Sequence, residues 1–233
     1  MQSDRNSRLA NIVVDLIRSN MARMPKRVLV VGCGSGREAA ELARALDADV
    51  TGIDIQTRFD PAAARVAKLQ YGDATALDFP DRKFDLVYSY HALEHIPDYR
   101  RALREIRRVL ADDGCYFIGT PNRHRLIGYV GSQSSLLNKL RWNATDWAAR
   151  LRGRFRNEFG AHAGFSRNEL QSELSGAIGP AKNVTLTYYV SLYSRKATYV
   201  RLLDRLKLSS LVFPAIYFIG AKYGSRAVGH RHG

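Results

Sequence analysis

The sequence predicts an α/β fold, a mostly parallel sheet with helices on both faces. Three observations carry this expectation. Short apolar runs alternate with helix-like stretches through the first half, a glycine-rich turn follows the first run, and acidic residues stand at the ends of the next two. Strands are expected at residues 28–31, 49–53, 68–71, 84–89 and 115–119. Between them, residues 37–46 are alanine-rich and helical in pattern, and Asp60-Pro61 offers an N-cap followed by a first-turn proline. In residues 99–110, Ala102, Leu103, Ile106, Val109 and Leu110 recur at helical spacing, and Asp112-Asp113-Gly114 reads as a turn into the fifth strand. Ahead of the first strand, Leu9, Ile12, Val13, Leu16 and Ile17 mark an amphipathic helix that leans on the fold.

After Thr120-Pro121-Asn122 the alternation breaks. Residues 123–164 mix arginines with Tyr129, Trp142, Trp147, Phe155 and Phe159, and read as an inserted, partly helical cap. Helix resumes over 166–177, where Ser166 and Glu169 have the spacing of a capping box. Residues 184–190 and 215–221 are expected as two final strands, making seven, with a basic amphipathic stretch at 192–211 between them. The end, His230-Arg231-His232-Gly233, reads as a loose tail. A chain of 233 residues supports one substantial core, so a single domain is expected. Its parts are an N-terminal helix (1–24), a ligand-binding half (25–122), the cap (123–164) and C-terminal substrate-side elements (165–233).

The net charge of +14 is unevenly placed. Residues 1–120 carry 18 basic and 17 acidic side chains, whereas residues 121–233 carry 18 and 5. A solvated basic surface and a negatively charged partner or substrate both account for this. The apolar stretch 208–221 is too short for a bilayer-spanning helix and is interrupted by Ser209, Ser210, Pro214 and Gly220. The opening residues, with Asp4 and Asp15, lack a secretory pattern, so a cytoplasmic protein with Cys33 and Cys115 as reduced thiols is expected.

The chemistry concentrates at predicted strand ends. Val28-Leu29-Val30-Val31 runs into Gly32-Cys33-Gly34-Ser35-Gly36, where alternate glycines let the chain bend and let a polar ligand approach backbone N–H groups at a helix start. A dinucleotide site would want glycine three positions after Gly34, and that position is Arg37. Asp54 ends the second strand, placed to accept from both hydroxyls of a ribose, with Ile55 beside it. Asp73, followed by Ala74, ends the third and could accept from an exocyclic amine; either acid alone is also a common turn residue. Tyr90 and His91 end the fourth strand.

This series resembles the class I S-adenosylmethionine (SAM)-dependent methyltransferases, particularly the small-molecule group that includes ubiquinone-pathway, envelope and natural-product enzymes. The matching text is Val28 through Gly36, Gly52-Ile53-Asp54, Gly72-Asp73-Ala74, Phe84-Asp85-Leu86-Val87, Leu93-Glu94-His95-Ile96-Pro97-Asp98, Arg108-Val109-Leu110, Asp113-Gly114 and Thr120-Pro121-Asn122. The resemblance implies a Rossmann-like, mostly parallel seven-stranded sheet and SAM as cofactor. It implies that Gly32, Cys33, Gly34, Ser35 and Gly36 line the methionine end of SAM, that Asp54 and Ile55 meet the ribose, and that Asp73 and Ala74 border the adenine. Where the family usually has an acid in the first strand, this chain has Val30.

Tyr90 and His91 are then placed near the reacting methyl group, His91 as a base or a SAM contact. His162 resembles the family's histidine before its penultimate helix and is the other candidate base, while His124 reads as a surface loop residue. Some ubiquinone-pathway relatives carry Glu-x-x-Glu-His with a divalent ion where this chain has His91-x-x-Glu94-His95; no metal is expected here, and His95 is read as structural or substrate-orienting. The resulting expectation is methyl transfer, as O-methylation, to a small-molecule, sugar-linked or lipid-linked acceptor, acidic acceptors included. The cap and residues 191–212 would form the acceptor pocket, and the basic second half would serve that acceptor or an anionic membrane surface rather than RNA. An RNA methyltransferase using the basic half and a catalytically silent SAM-binding partner are the alternatives.

Overall fold

A computed structural model describes residues 2–21, 23–128, 134–157 and 162–223; Tyr129, Phe159 and the tail at 230–233 lie outside these residues. The described chain runs α1 (Gln2–Asn20), β1 (Arg27–Val31), α2 (Arg37–Leu46), β2 (Asp49–Asp54), β3 (Lys68–Tyr71), β4 (Phe84–Tyr90), α3 (Tyr99–Val109) and β5 (Leu110–Pro121). It continues through α4 (Leu136–Leu151), α5 (Arg167–Ala177), β6 (Ala181–Asn183), α6 (Thr185–Leu192), α7 (Ala197–Arg205), α8 (Ser209–Val212) and β7 (Ala215–Ala221). The strands form one sheet in the order β3-β2-β1-β4-β5-β7-β6. The first five are parallel, and β7 is antiparallel to both β5 and β6. The fold is the Rossmann-like α/β arrangement that the sequence predicts.

The central strands are buried on both faces, which is why they read as unbroken apolar runs. Val28 and Val30 face a layer containing α1, α2 and α6, while Leu29 and Val31 face the layer of α3 and α5. Helix α1 buries Ile12, Val13, Leu16 and Ile17, α3 buries Ala102, Leu103, Ile106 and Val109, and the capping box of Ser166 and Glu169 opens α5. Parallel pairing brings the carboxyl ends of β1, β2, β3 and β4 to one edge, where a crevice forms.

Three local expectations are corrected. Residues 184–190 fall in helix α6 and its N-cap, not in a strand, and the sixth strand is the short β6 just before it. The buried set is Val184, Thr185, Tyr188 and Tyr189, a helical rhythm, whereas a strand would alternate. Helix α6 nevertheless does part of a strand's work on β7. Val184 N–H donates to Tyr217 O (2.9 Å), Thr185 Oγ1 accepts from Tyr217 N–H (2.9 Å), and the Tyr189 hydroxyl accepts from Ala215 N–H (3.1 Å). Edge groups that would be orphaned in a buried layer are thereby satisfied.

The helix expected after Asp60-Pro61 is only a succession of turns. Asp60 still acts as a cap, accepting from Ala62 N–H (2.8 Å), but its other oxygen is taken by Arg37 Nε (2.6 Å), which ties the segment to the start of α2. The Asp112-Asp113-Gly114 turn lies within β5 as an irregularity, since Phe84 pairs with Leu110 and Leu86 with Cys115.

The cap hangs on buried polar groups. The Arg125 guanidinium donates to Asp146 of α4 (3.2 Å) and to the carbonyls of Asn122, Ala163 and His162 (3.2, 3.3 and 2.8 Å). Arg150 of α4 donates to the carbonyls of Arg123 and Arg125.

Beneath the glycine turn, Glu38 in the first turn of α2 accepts a short hydrogen bond from the Tyr88 hydroxyl of β4 (2.5 Å). Burial pushes the Glu38 carboxyl up to about 7, against a smaller opposing effect of that bond. A carboxyl raised in the folded state binds protons that the unfolded chain releases, so its contribution to stability is complete below the unfolded value near 4.5 and is lost as the pH rises through about 7. We expect wild-type stability to carry a falling component between those limits, of at most about 1.4 kcal/mol per pH unit from this group. Glu38→Gln, which keeps an acceptor for Tyr88, should remove it; urea unfolding at several pH values tests this, and an identical slope in both proteins would refute the assignment.

Candidate active site

Strand β1 stops at Val31 because the next residues adopt backbone angles that suit glycine: Gly32, Gly34 and Gly36 have φ of 72°, 53° and 81°. At Gly36 space is also limiting, since a Cβ would come within 2.1 Å of Leu69 Cδ1. At Gly34 the opposite holds. Nothing lies within 4 Å of an added Cβ, so bare backbone faces the crevice. The turn is fastened to the end of β2: Gly32 and Cys33 N–H donate to Ile53 O (2.9 and 3.0 Å), and Gly34 N–H donates to Asp54 Oδ2 (2.8 Å). Asp54 Oδ1 accepts from Gln56 N–H (2.8 Å). Each carboxylate oxygen holds one backbone donor and has lone-pair capacity for a hydroxyl besides.

Asp73 Oδ1 accepts from both the N–H and the hydroxyl of Thr75 (2.8 Å each), and these bonds hold the carboxyl below its usual range. A cleft of about 660 Å³ opens between these strand ends and the segment after β4. Of the sequence-predicted residues, Gly32, Gly34, Asp54, Ile55, Asp73, Ala74 and His91 line it, and His95 joins them. Cys33, Ser35, Gly36 and Tyr90 are not lining residues. Cys33 is buried next to Gly52, with its thiol pushed up to about 12 by burial. Ser35 is exposed on the outer side of the turn. The Tyr90 ring stacks on Tyr217 (6.0 Å between centroids) and meets His91 edge-on (4.2 Å). Among the described residues no cap residue lines the cleft either, His162, Trp142 and Trp147 included.

The other wall carries the titratable groups. His91 sits in the left-handed region (φ 53°), held there by its N–H donating to Gly119 O (2.8 Å). Burial, reinforced by the charge of Arg125, pushes its imidazole down to about 4, so it is neutral near pH 7. Glu94 is buried between His91 Nδ1 (3.6 Å) and His95 Nε2 (3.8 Å). Its own backbone N–H leans towards the carboxyl, yet among the described residues neither oxygen completes a hydrogen bond, and burial pushes it up to about 7. His162, from the segment before α5, does not line the cleft itself but meets His95 edge-on, its ring 4.7 Å away. Among the described residues no group of three or more His, Cys, Asp or Glu side chains is arranged to hold a metal ion.

Sequence reasoning missed Glu38, the isolation of the Glu94 carboxyl, and Arg125 beneath the histidines. Glu38 had a signal: it heads the stripe Glu38, Leu42, Leu46 on the buried face of α2. The other two depend on contacts between distant segments and had none.

Comparison with known proteins places this geometry. A family model described as a methyltransferase domain matches residues 29–118. The 27-O-demethylrifamycin SV methyltransferase of Amycolatopsis mediterranei is 36% identical over 106 residues, covering 42% of this chain and 39% of that protein. A fatty-acid O-methyltransferase of Mycolicibacterium smegmatis is 40% identical over 106 residues, covering 43% and 38%. The matched segments thus span about two fifths of these relatives. The YcgJ protein of Bacillus subtilis shares the fold over 91% of this chain and 97% of its own, with a TM-score of 0.54 at 19% identity. The glycine turn fastened to an acid at the end of β2 lies within the segment, residues 29–118, that is similar to a methyltransferase domain, on a sheet of Rossmann-like order.

Proposed function

We propose that the chain transfers a methyl group from SAM to an oxygen of a small-molecule or lipid-linked acceptor. The observation that carries the reading is one cleft with two chemically different walls: open glycine backbone and strand-end carboxylates on one side, and neutral His91 with its partners on the other. The residues fit SAM. Gly34 leaves room for close approach, the Asp54 oxygens retain lone pairs for ribose hydroxyls, and Asp73 with Ala74 stands where an adenine edge would lie. When bound, SAM supplies a methyl group already activated on a sulfonium.

The protein's work is then alignment and proton management. His91 at the cleft wall is the group to accept a hydroxyl proton from the acceptor, being neutral and among the residues that line the cleft. Glu94 supports it from behind, and His95, met edge-on by His162, continues the same wall. The names of the two curated relatives, both acting at oxygen, support an oxygen acceptor. The excess of basic residues after position 120 supports an acceptor bearing negative charge.

Asp54→Ala should weaken SAM binding by about 1.5–3 kcal/mol, the scale of hydrogen bonds to a charged group; calorimetry giving wild-type affinity would remove the ribose assignment. His91→Ala should lower kcat by roughly 10²- to 10⁴-fold while leaving SAM affinity intact. In the wild type the step should hold its rate from neutral pH down to about pH 5 and fail only as the imidazole protonates near 4; an undiminished kcat in the variant rules His91 out as the base. Chelator treatment should leave turnover unchanged, and activity abolished by chelator and restored by magnesium would reverse that reading of His91, Glu94 and His95.

A further inference from the structure

Helix α4 packs with polar side chains inward and apolar ones outward. Inward, Asp146 meets Arg125, Arg150 holds two carbonyls, and Asn143 accepts from Gly128 N–H (2.7 Å). Outward, Leu136, Leu137, Leu140 and Leu151 are 74, 75, 60 and 89% exposed, with Trp147 half exposed beside them. Leu136, Leu140, Trp147 and Leu151 follow one another at spacings of four, seven and four, a single stripe along the helix. A soluble domain rarely leaves such a stripe uncovered.

The stripe continues onto neighbouring segments. The Trp147 indole N–H donates to Leu126 O (2.9 Å), and Leu126 N–H donates to Leu211 O (2.8 Å), so the loop carrying exposed Leu126 and Ile127 lies between α4 and α8 with its exposed Val212. Among the described residues of α4, the 126–127 loop and α8, the exposed charges are basic. Arg141, Arg152 and Arg154 are exposed on α4 and just after it, Lys207 precedes α8, and the one acid of α4, Asp146, is turned inward to Arg125.

From this we infer that α4, the 126–127 loop and α8 form a docking surface for an anionic lipid bilayer, with the leucine stripe laid among the headgroups and the arginines on their phosphates. Charge selects this occupant. A second copy of the chain would bring an equally basic face against this one and be repelled, whereas an anionic surface complements it. Among the described residues no helix is long and apolar enough to cross a membrane, which suits a helix lying in the interface. The role differs from that expected of the cap as a wall of the acceptor pocket, and it does not depend on which acceptor is methylated.

The test is flotation of the full chain with vesicles of phosphatidylcholine containing phosphatidylglycerol, beside vesicles of phosphatidylcholine alone, at low and high salt. We expect binding to the anionic vesicles only, weakened by salt. The triple variant Leu136→Ser, Leu140→Ser, Leu151→Ser should reduce the bound fraction on the order of tenfold or more. These side chains are exposed, so the variant should fold, and unchanged SAM affinity by calorimetry shows that it has. The pair Arg141→Glu, Arg152→Glu should remove the anionic preference. Absence of vesicle binding in the wild type, or equal binding by the triple variant, overturns the inference. So does concentration-dependent self-association in sedimentation that the triple variant abolishes, which would assign the stripe to a second copy. Salt-sensitive binding to total RNA that competes with vesicles would reassign the basic face to nucleic acid.

Discussion

The structure depends first on the bond between Gly34 N–H and Asp54 Oδ2. It joins the turn after β1 to the end of β2, and with the two bonds to Ile53 O it fixes a loop whose glycines would otherwise be the loosest residues of the chain. Because the carboxylate is already oriented by Gly34 and Gln56, a ligand arriving there meets a site whose ordering cost has largely been met during folding. The rest of the cleft is arranged about this clamp. The parallel register of β1 with β2 and β4 brings Asp54 and His91 to the same edge of the sheet from opposite sides of the turn.

What was legible in the sequence follows from how each element is stabilised. Strands β1 and β4 are buried on both faces and β2 and β5 largely so, whereas β3 is partly exposed; composition reports the buried ones, and the acids at the strand ends stand out against the apolar runs. Residues 184–190 misled because a short apolar run reads alike as strand or helix. The contacts that settle it, Thr185 and Tyr189 on the backbone of β7, join residues about thirty positions apart. The same separation hid Glu94, whose isolation arises only when the segments carrying His91, His95 and His162 converge.

The cap shows how a basic, aromatic stretch can be misread from composition. Its arginines and tryptophans suggested part of an acceptor pocket, yet Arg125 and Arg150 spend their donors largely on backbone carbonyls and Trp147 spends its indole N–H on Leu126. These are groups that a loop-rich segment would otherwise leave unsatisfied. A segment short of regular structure uses side chains where a sheet would use its own ladder.

Arg125 gives the cap a further property. One guanidinium grips Asp146 on α4 and the carbonyl of His162, and the ring of His162 rests on His95 at the cleft wall. Asp146 of α4 and the backbone of His162 are therefore held by one guanidinium, and a displacement of α4 that carries Asp146 along pulls on the segment whose ring meets His95 at the cleft wall. Surface and site in this chain share one buried node, and changes that reach Asp146 or Arg125, rather than those confined to the exposed side of α4, bear on both.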